Sequence, residues 1–137
     1  MAKASLEYWH EMTKLVASRS HATRAKVGAV ITKDERVIAT GFNGQPSGMP
    51  NVCEDENGNT KPDTVHAECN AIAFAARHGI STEGSTMYVT LSPCRGCAAL
   101  VVQAGIKRVV FGEAYRDTQG TDLLNQCNVE VIGPISK

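Results

Sequence analysis

No apolar run in this 137-residue sequence approaches the ~18 residues that a membrane-spanning helix needs. Surplus charge of either sign is also missing: 14 basic residues face 14 acidic ones, for a formal net charge of zero. That balance leaves nothing to set against a phosphate backbone, so a nucleic-acid polymer is not the expected partner. A disulfide framework is absent too. The five cysteines (Cys53, Cys69, Cys94, Cys97, Cys127) are odd in number and include one Cys-x-x-Cys pair. Such usage suits a reducing compartment and a metal. Residues Met1 to Glu11 lack the apolar centre of a signal peptide. The expectation is a cytoplasmic protein without membrane association. No internal repeat, low-complexity stretch or composition break marks a second domain, so residues 1–137 read as one domain.

Apolar spacing supplies the elements. Leu6, Trp9, Met12, Leu15 and Val16 predict an amphipathic helix over residues ~5–19, with Trp9 as a core anchor. Val27 to Ile31 and Arg36 to Phe42 flank the polar Lys33-Asp34-Glu35 and read as a β-hairpin. Gly44 to Asp63 is rich in Gly, Pro, Asn and Asp, a long loop of the kind that often carries function. Val65 to Arg77 and Cys94 to Ala104 read as helices stopped by Gly79 and Gly105. Thr86 to Leu91, Arg108 to Phe111 and Val129 to Ile132 read as strands, and Asp122 to Gln126 as a short helix. The order α-β-β-α-β-α-β-α-β implies an α/β/α three-layer fold. Its mixed five-stranded sheet starts antiparallel, continues parallel, and has helices on both faces.

Four residues carry the chemistry: His66, Glu68, Cys94 and Cys97. One His and two Cys are three good zinc ligands, and three protein ligands leave a fourth position of Zn²⁺ for water. Cys94 and Cys97, three apart, share one helix face, with Pro93 at the helix entrance. Thiolates at a helix N-terminus gain from the positive end of its dipole. Glu68, two residues from His66, is then free to move protons: from water to a ring nitrogen, then to departing ammonia. His-x-Glu followed by Pro-Cys-x-x-Cys is the pattern of zinc deaminases that act on nucleobases.

A closed site remains open as an alternative. His66 and Cys69 are also three apart, so all three cysteines and the histidine could hold a purely structural zinc. Against it, Cys69 sits in an apolar helical segment, and Glu68 would have no task there. A second metal at Cys53 and His21 lacks any supporting spacing.

Over roughly Leu6 to Val131 the chain resembles the cytidine deaminase superfamily, and within it the deoxycytidylate deaminases of bacteria and phages. The segments that carry the resemblance are Lys26-Val27-Gly28-Ala29-Val30-Ile31, Thr40-Gly41-Phe42-Asn43-Gly44, His66-Ala67-Glu68-Cys69-Asn70-Ala71-Ile72, Met87 to Cys94 and Gln103-Ala104-Gly105-Ile106. The resemblance implies a cytidine deaminase-like fold and hydrolysis of dCMP to dUMP and ammonia, feeding dTMP synthesis. Zinc would rest on His66, Cys94 and Cys97, with Glu68 as proton shuttle. Val27 would pack on the base, Ala67 and Ser92 would grip the pyrimidine edge, and Asn43 would hold a sugar hydroxyl. Tyr115 would touch substrate, and the candidates to hold its phosphate are Arg24, Lys26 and Arg116, with Arg95 behind them. It also implies a homo-oligomer, a hexamer, activated by dCTP and inhibited by dTTP. Arg24, Lys26 and Gly41-Phe42-Asn43-Gly44 would lie at the effector site, and Mg²⁺ would accompany the triphosphates. Phe42 stands where the family usually has tyrosine, which removes one hydroxyl. Deamination of tRNA adenosine, guanine or cytidine, or a non-catalytic zinc or nucleotide-binding domain, are the alternatives. Zero net charge speaks against tRNA, and Glu68 against a silent domain.

Overall fold

A computed structural model describes residues 2–135. The elements follow as α1 (Leu6–Ala17), β1 (Gly28–Lys33), β2 (Arg36–Phe42), α2 (Ala67–Arg77), β3 (Thr86–Leu91), α3 (Arg95–Gln103), β4 (Arg108–Glu113), α4 (Gln119–Gln126) and β5 (Glu130–Ile132). The expected order holds, and the differences lie at the ends. Both central helices start later than their apolar patterns suggest, because His66 and Cys94 have extended backbones and sit as N-caps. Conversely, β1 runs on to Lys33, and the hairpin turn is only Asp34 and Glu35, at φ 53° and 61°. A two-residue turn with both φ positive matches the strand twist, but Asp-Glu is not its usual sequence, so the turn is hard to read. Helix α4 starts at Gln119 rather than Asp122.

The sheet order is β2-β1-β3-β4-β5. Strand β1 is antiparallel to β2 and β3, whereas β3–β4 and β4–β5 are parallel. Alternation along the strands sorts two cores. Ala29, Ile31, Met87, Val89, Val109 and Phe111 point toward α2, α3 and α4, packing with Ala71, Ala98, Val101 and Leu124. Val30, Tyr88 and Val110 point the other way, onto Trp9 of α1, whose ring stacks on Tyr88 at 5.8 Å. Trp9 is 4% exposed, the core anchor expected. Among the described residues, no helix is long and apolar enough to cross a membrane.

This topology gathers the chemistry at one end of the sheet. The carboxyl end of β3 leads into Ser92-Pro93-Cys94, and that of β4 leads toward Tyr115. Because β1 is antiparallel to β3, Val27 at its entry lies at the same end. Gly28 pairs with Phe42, which brings Asn43 there as well. Ligands of open α/β sheets bind beyond the carboxyl ends of parallel strands.

Candidate active site

Two glycines set how closely helices approach this end. A Cβ on Gly41 would lie 2.5 Å from the Ala67 carbonyl oxygen and 2.5 Å from the Ala71 nitrogen. The first turn of α2 thus rests directly on β2. A Cβ on Gly120 would overlap the carbonyl oxygen of Pro93, so α4 presses on the residue before Cys94. Here glycine opens a helix where sequence propensity argues for a loop, which is why α4 begins earlier than expected.

His66 and Cys94 cap α2 and α3, and Cys97 follows in the first turn of α3. The His66 Nδ1 is 3.2 Å from Cys97 Sγ and 3.6 Å from Cys94 Sγ. All three donor atoms lie within 4.8 Å of one another. A tetrahedral zinc with Zn–S of ~2.3 Å and Zn–N of ~2.0 Å places neighbouring donors about 3.5–3.8 Å apart. The donor set therefore fits that ion in spacing and in chemistry. The Cys69 Sγ is 3.5 Å from Cys97 Sγ but does not join the cluster of donors that are all mutually close. Its hydrogen bond with Cys97, together with burial, pushes the Cys97 thiol above its ordinary range. A dication among the donors reverses that preference by stabilising thiolate.

Beside this cluster Glu68 is 4% exposed. Burial pushes its carboxyl up to about 7. A carboxyl in that range is balanced between proton donor and proton acceptor near neutrality. Glu68 faces a cavity of about 290 Å³ whose wall includes His66, Ala67, Cys94, Val27, Asn43, Ser92 and Tyr115. Arg24 stands on the same wall.

The other expected residues divide. Asn43 is already engaged: Oδ1 accepts from the Val27 N–H at 2.9 Å and Nδ2 donates to the Ala25 carbonyl at 2.8 Å. One amide proton and one lone pair remain. Ser92 is buried and its Oγ accepts from the Tyr115 N–H at 2.7 Å, which leaves its own proton to donate. Tyr115 is 46% exposed. Arg116 is exposed and is not part of the cavity wall. Lys26 lines a second cavity of about 360 Å³, with His10 and Lys14. Gly41 is buried under α2. Phe42 lies beneath the Arg19 guanidinium at 5.4 Å, and Gly44 bridges to Val65. The wall also includes Cys53, Glu54 and Thr60 from the long loop. Their composition flags the loop but no individual residue. Among the described residues, the one cluster of three possible metal donors is His66, Cys94 and Cys97, so Cys53 and His21 form no such group.

Residues 3–113 match the family described as the cytidine and deoxycytidylate deaminase zinc-binding region. The chain is 38% identical to the deoxycytidylate deaminase of Enterobacteria phage T4, covering 89% of this chain and 86% of that protein. It is 38% identical to ComE operon protein 2 of Bacillus subtilis, covering 91% and 68%. Among solved structures it resembles the dCMP deaminase of cyanophage S-TIM5 in complex with dCMP and dUMP, with TM-score 0.89 and 41% identity over 91% of this chain and 93% of that one.

Proposed function

The chain belongs to the cytidine and deoxycytidylate deaminase family, and from that premise we propose that it hydrolyses dCMP to dUMP and ammonia, supplying the precursor of dTMP. The observation that carries this is the buried Glu68 beside the His66, Cys94 and Cys97 donors, on the wall of a cavity of about 290 Å³. The cyanophage relative, bound to dCMP and dUMP, supports the choice of nucleotide.

His66, Cys94 and Cys97 would hold Zn²⁺, which when bound would supply the Lewis acidity that makes water a nucleophile at neutral pH. Glu68 takes a proton from the attacking water, delivers it to the ring nitrogen of cytosine, and then assists loss of ammonia. The Ala67 N–H, unpaired in the first turn of α2, and the Ser92 hydroxyl hold the pyrimidine edge. Val27 packs on the base. The remaining amide proton of Asn43 meets a sugar hydroxyl. Tyr115 borders the sugar and phosphate, and Arg24, on the wall, is better placed for the phosphate than Arg116, which is not.

The finer expectations belong to the same proposal. The chain works as one domain in the cytoplasm, in a homo-hexamer activated by dCTP and inhibited by dTTP, with Mg²⁺ on the triphosphates. Gly41-Phe42-Asn43-Gly44 connects effector and substrate: Asn43 reaches the cavity wall while the Phe42 carbonyl accepts from Asn70 Nδ2 of α2 at 2.7 Å.

The test is ammonia release by the purified protein from dCMP, deoxycytidine, cytidine, dCTP, guanine and tRNA, with and without dCTP or dTTP. dCMP is expected to turn over best, faster with dCTP and slower with dTTP. Silence on dCMP would overturn the assignment. Metal content separates the open site from the closed one. Cys97→Ser should lose zinc and Cys69→Ser should retain it, read by elemental analysis after gel filtration. Zinc loss from Cys69→Ser would favour the closed site of three cysteines and one histidine.

A further inference from the structure

Residues 20–27 have neither helix nor strand, yet they form part of the cavity wall. Backbone groups in such a segment need partners, and side chains from elsewhere provide them. The Ser20 hydroxyl donates to the Asn43 carbonyl at 2.8 Å and accepts from the Ala22 N–H at 3.1 Å. Asn43 holds Ala25 and Val27, as described. Between these two clips lie Thr23 and Arg24, whose N–H groups both donate to one oxygen of Glu54, at 3.0 and 3.2 Å. Glu54 comes from the long loop and is itself fixed. It bridges to Thr60. The carbonyl of the adjacent buried Cys53 accepts from the Lys61 N–H at 2.7 Å and the Thr64 hydroxyl at 3.2 Å.

We propose that Glu54 is a positioning residue for substrate phosphate: its carboxylate clasps the Thr23–Arg24 backbone and so aims the Arg24 side chain into the cavity. The inference rests on the nucleotide assignment above. Two consecutive N–H groups on one carboxylate oxygen fix the direction of the peptide between them, and with it the departure of the Arg24 side chain. Charge-assisted bonds of this kind are stronger than neutral ones. Without the carboxylate, both N–H groups turn to water and the segment is held only at Ser20 and Asn43. Glu54 and Arg24 both border the cavity, so slack in the clasp is felt where the nucleotide lies.

The test compares Glu54→Ala, Glu54→Gln, Arg24→Ala and the double variant, with dCMP and deoxycytidine as substrates. Glu54→Ala is expected to raise KM for dCMP about tenfold, with kcat changed less than about twofold and a smaller effect on deoxycytidine. Glu54→Gln, which keeps an acceptor oxygen, should recover most of the loss. In the Arg24→Ala background, Glu54→Ala should add nothing. Amide exchange at Thr23 and Arg24 should quicken in Glu54→Ala, a readout independent of turnover. Equal losses on both substrates, full additivity with Arg24→Ala, or unchanged amide exchange would each overturn the clasp. If Arg24→Ala discriminates dCMP from deoxycytidine and Glu54→Ala does not, only the clasp falls. If Arg24→Ala itself fails to discriminate, the phosphate assignment falls and the clasp with it.

Discussion

Glu68→Gln is expected to abolish deamination while the zinc site stays loaded. The side chain is 4% exposed, and its carboxyl sits at about 7 because burial disfavours the charge. An amide of the same shape fits that environment without a charge to desolvate, so folding is preserved. What is lost is the ability to accept one proton and give it back. General acid–base catalysis is worth roughly 10²–10⁴-fold, and because the proposed mechanism gives Glu68 several transfers in one turnover, the loss should fall at the upper end. The measurements are kcat from ammonia release and zinc content of the same preparation. Activity above about a tenth of the parent would remove Glu68 from the mechanism. Zinc loss with intact folding would make it part of the metal shell instead.

Gly41→Ala is expected to lower stability by about 2–3 kcal/mol and to cost activity beyond that loss. The added carbon would meet the Ala67 oxygen and Ala71 nitrogen at 2.5 Å, and Asn70 carbon at 3.0 Å. All are backbone atoms and cannot rotate away, so the start of α2 must lift off β2. The same turn carries His66, Ala67 and Glu68, and displacement by about 1 Å is enough to cost roughly 100-fold in rate. Gly96→Ala is the control. It lies in the first turn of α3, and a Cβ there would meet nothing within 4 Å. It should be neutral, or raise stability by up to about 1 kcal/mol. Chemical denaturation of the two variants, beside kcat at a temperature where both are folded, separates packing from positioning. Equal stability of the pair would mean that β2 and α2 are not in fixed contact.

Much of this fold is written in short-range periodicity. Short apolar runs in Gly28–Lys33 and Thr86–Leu91 and helical spacing in Leu6–Ala17 are local signals, and these elements form within a few residues of where their patterns lie. The ligands are legible for a different reason. His66, Cys94 and Cys97 are rare residue types at telling separations, so spacing narrows the metal before any coordinate is known. The rest depends on approach between distant segments. The choice between Cys69 and its neighbours turns on where the first turn of α2 meets that of α3. Lys26 and Arg24 differ by two positions in the sequence, yet border different cavities. Glu54 is one acid in a polar loop until its two N–H donors, 30 and 31 residues earlier, come into view.

Helices α2 and α3 begin at His66 and Cys94, and neither side chain makes a capping hydrogen bond to its helix. Serine, aspartate or asparagine at such a position adds about 0.5–2 kcal/mol over a non-capping residue. Both helices therefore start with a weaker terminus than the genetic code offers, and the two concessions are made at ligand positions. Selection for thermal tolerance and selection for turnover pull in opposite directions at residues 66 and 94. A library screened only for survival on heating, without zinc, should enrich Ser, Asp or Asn at these two sites and so recover sturdier proteins that no longer deaminate.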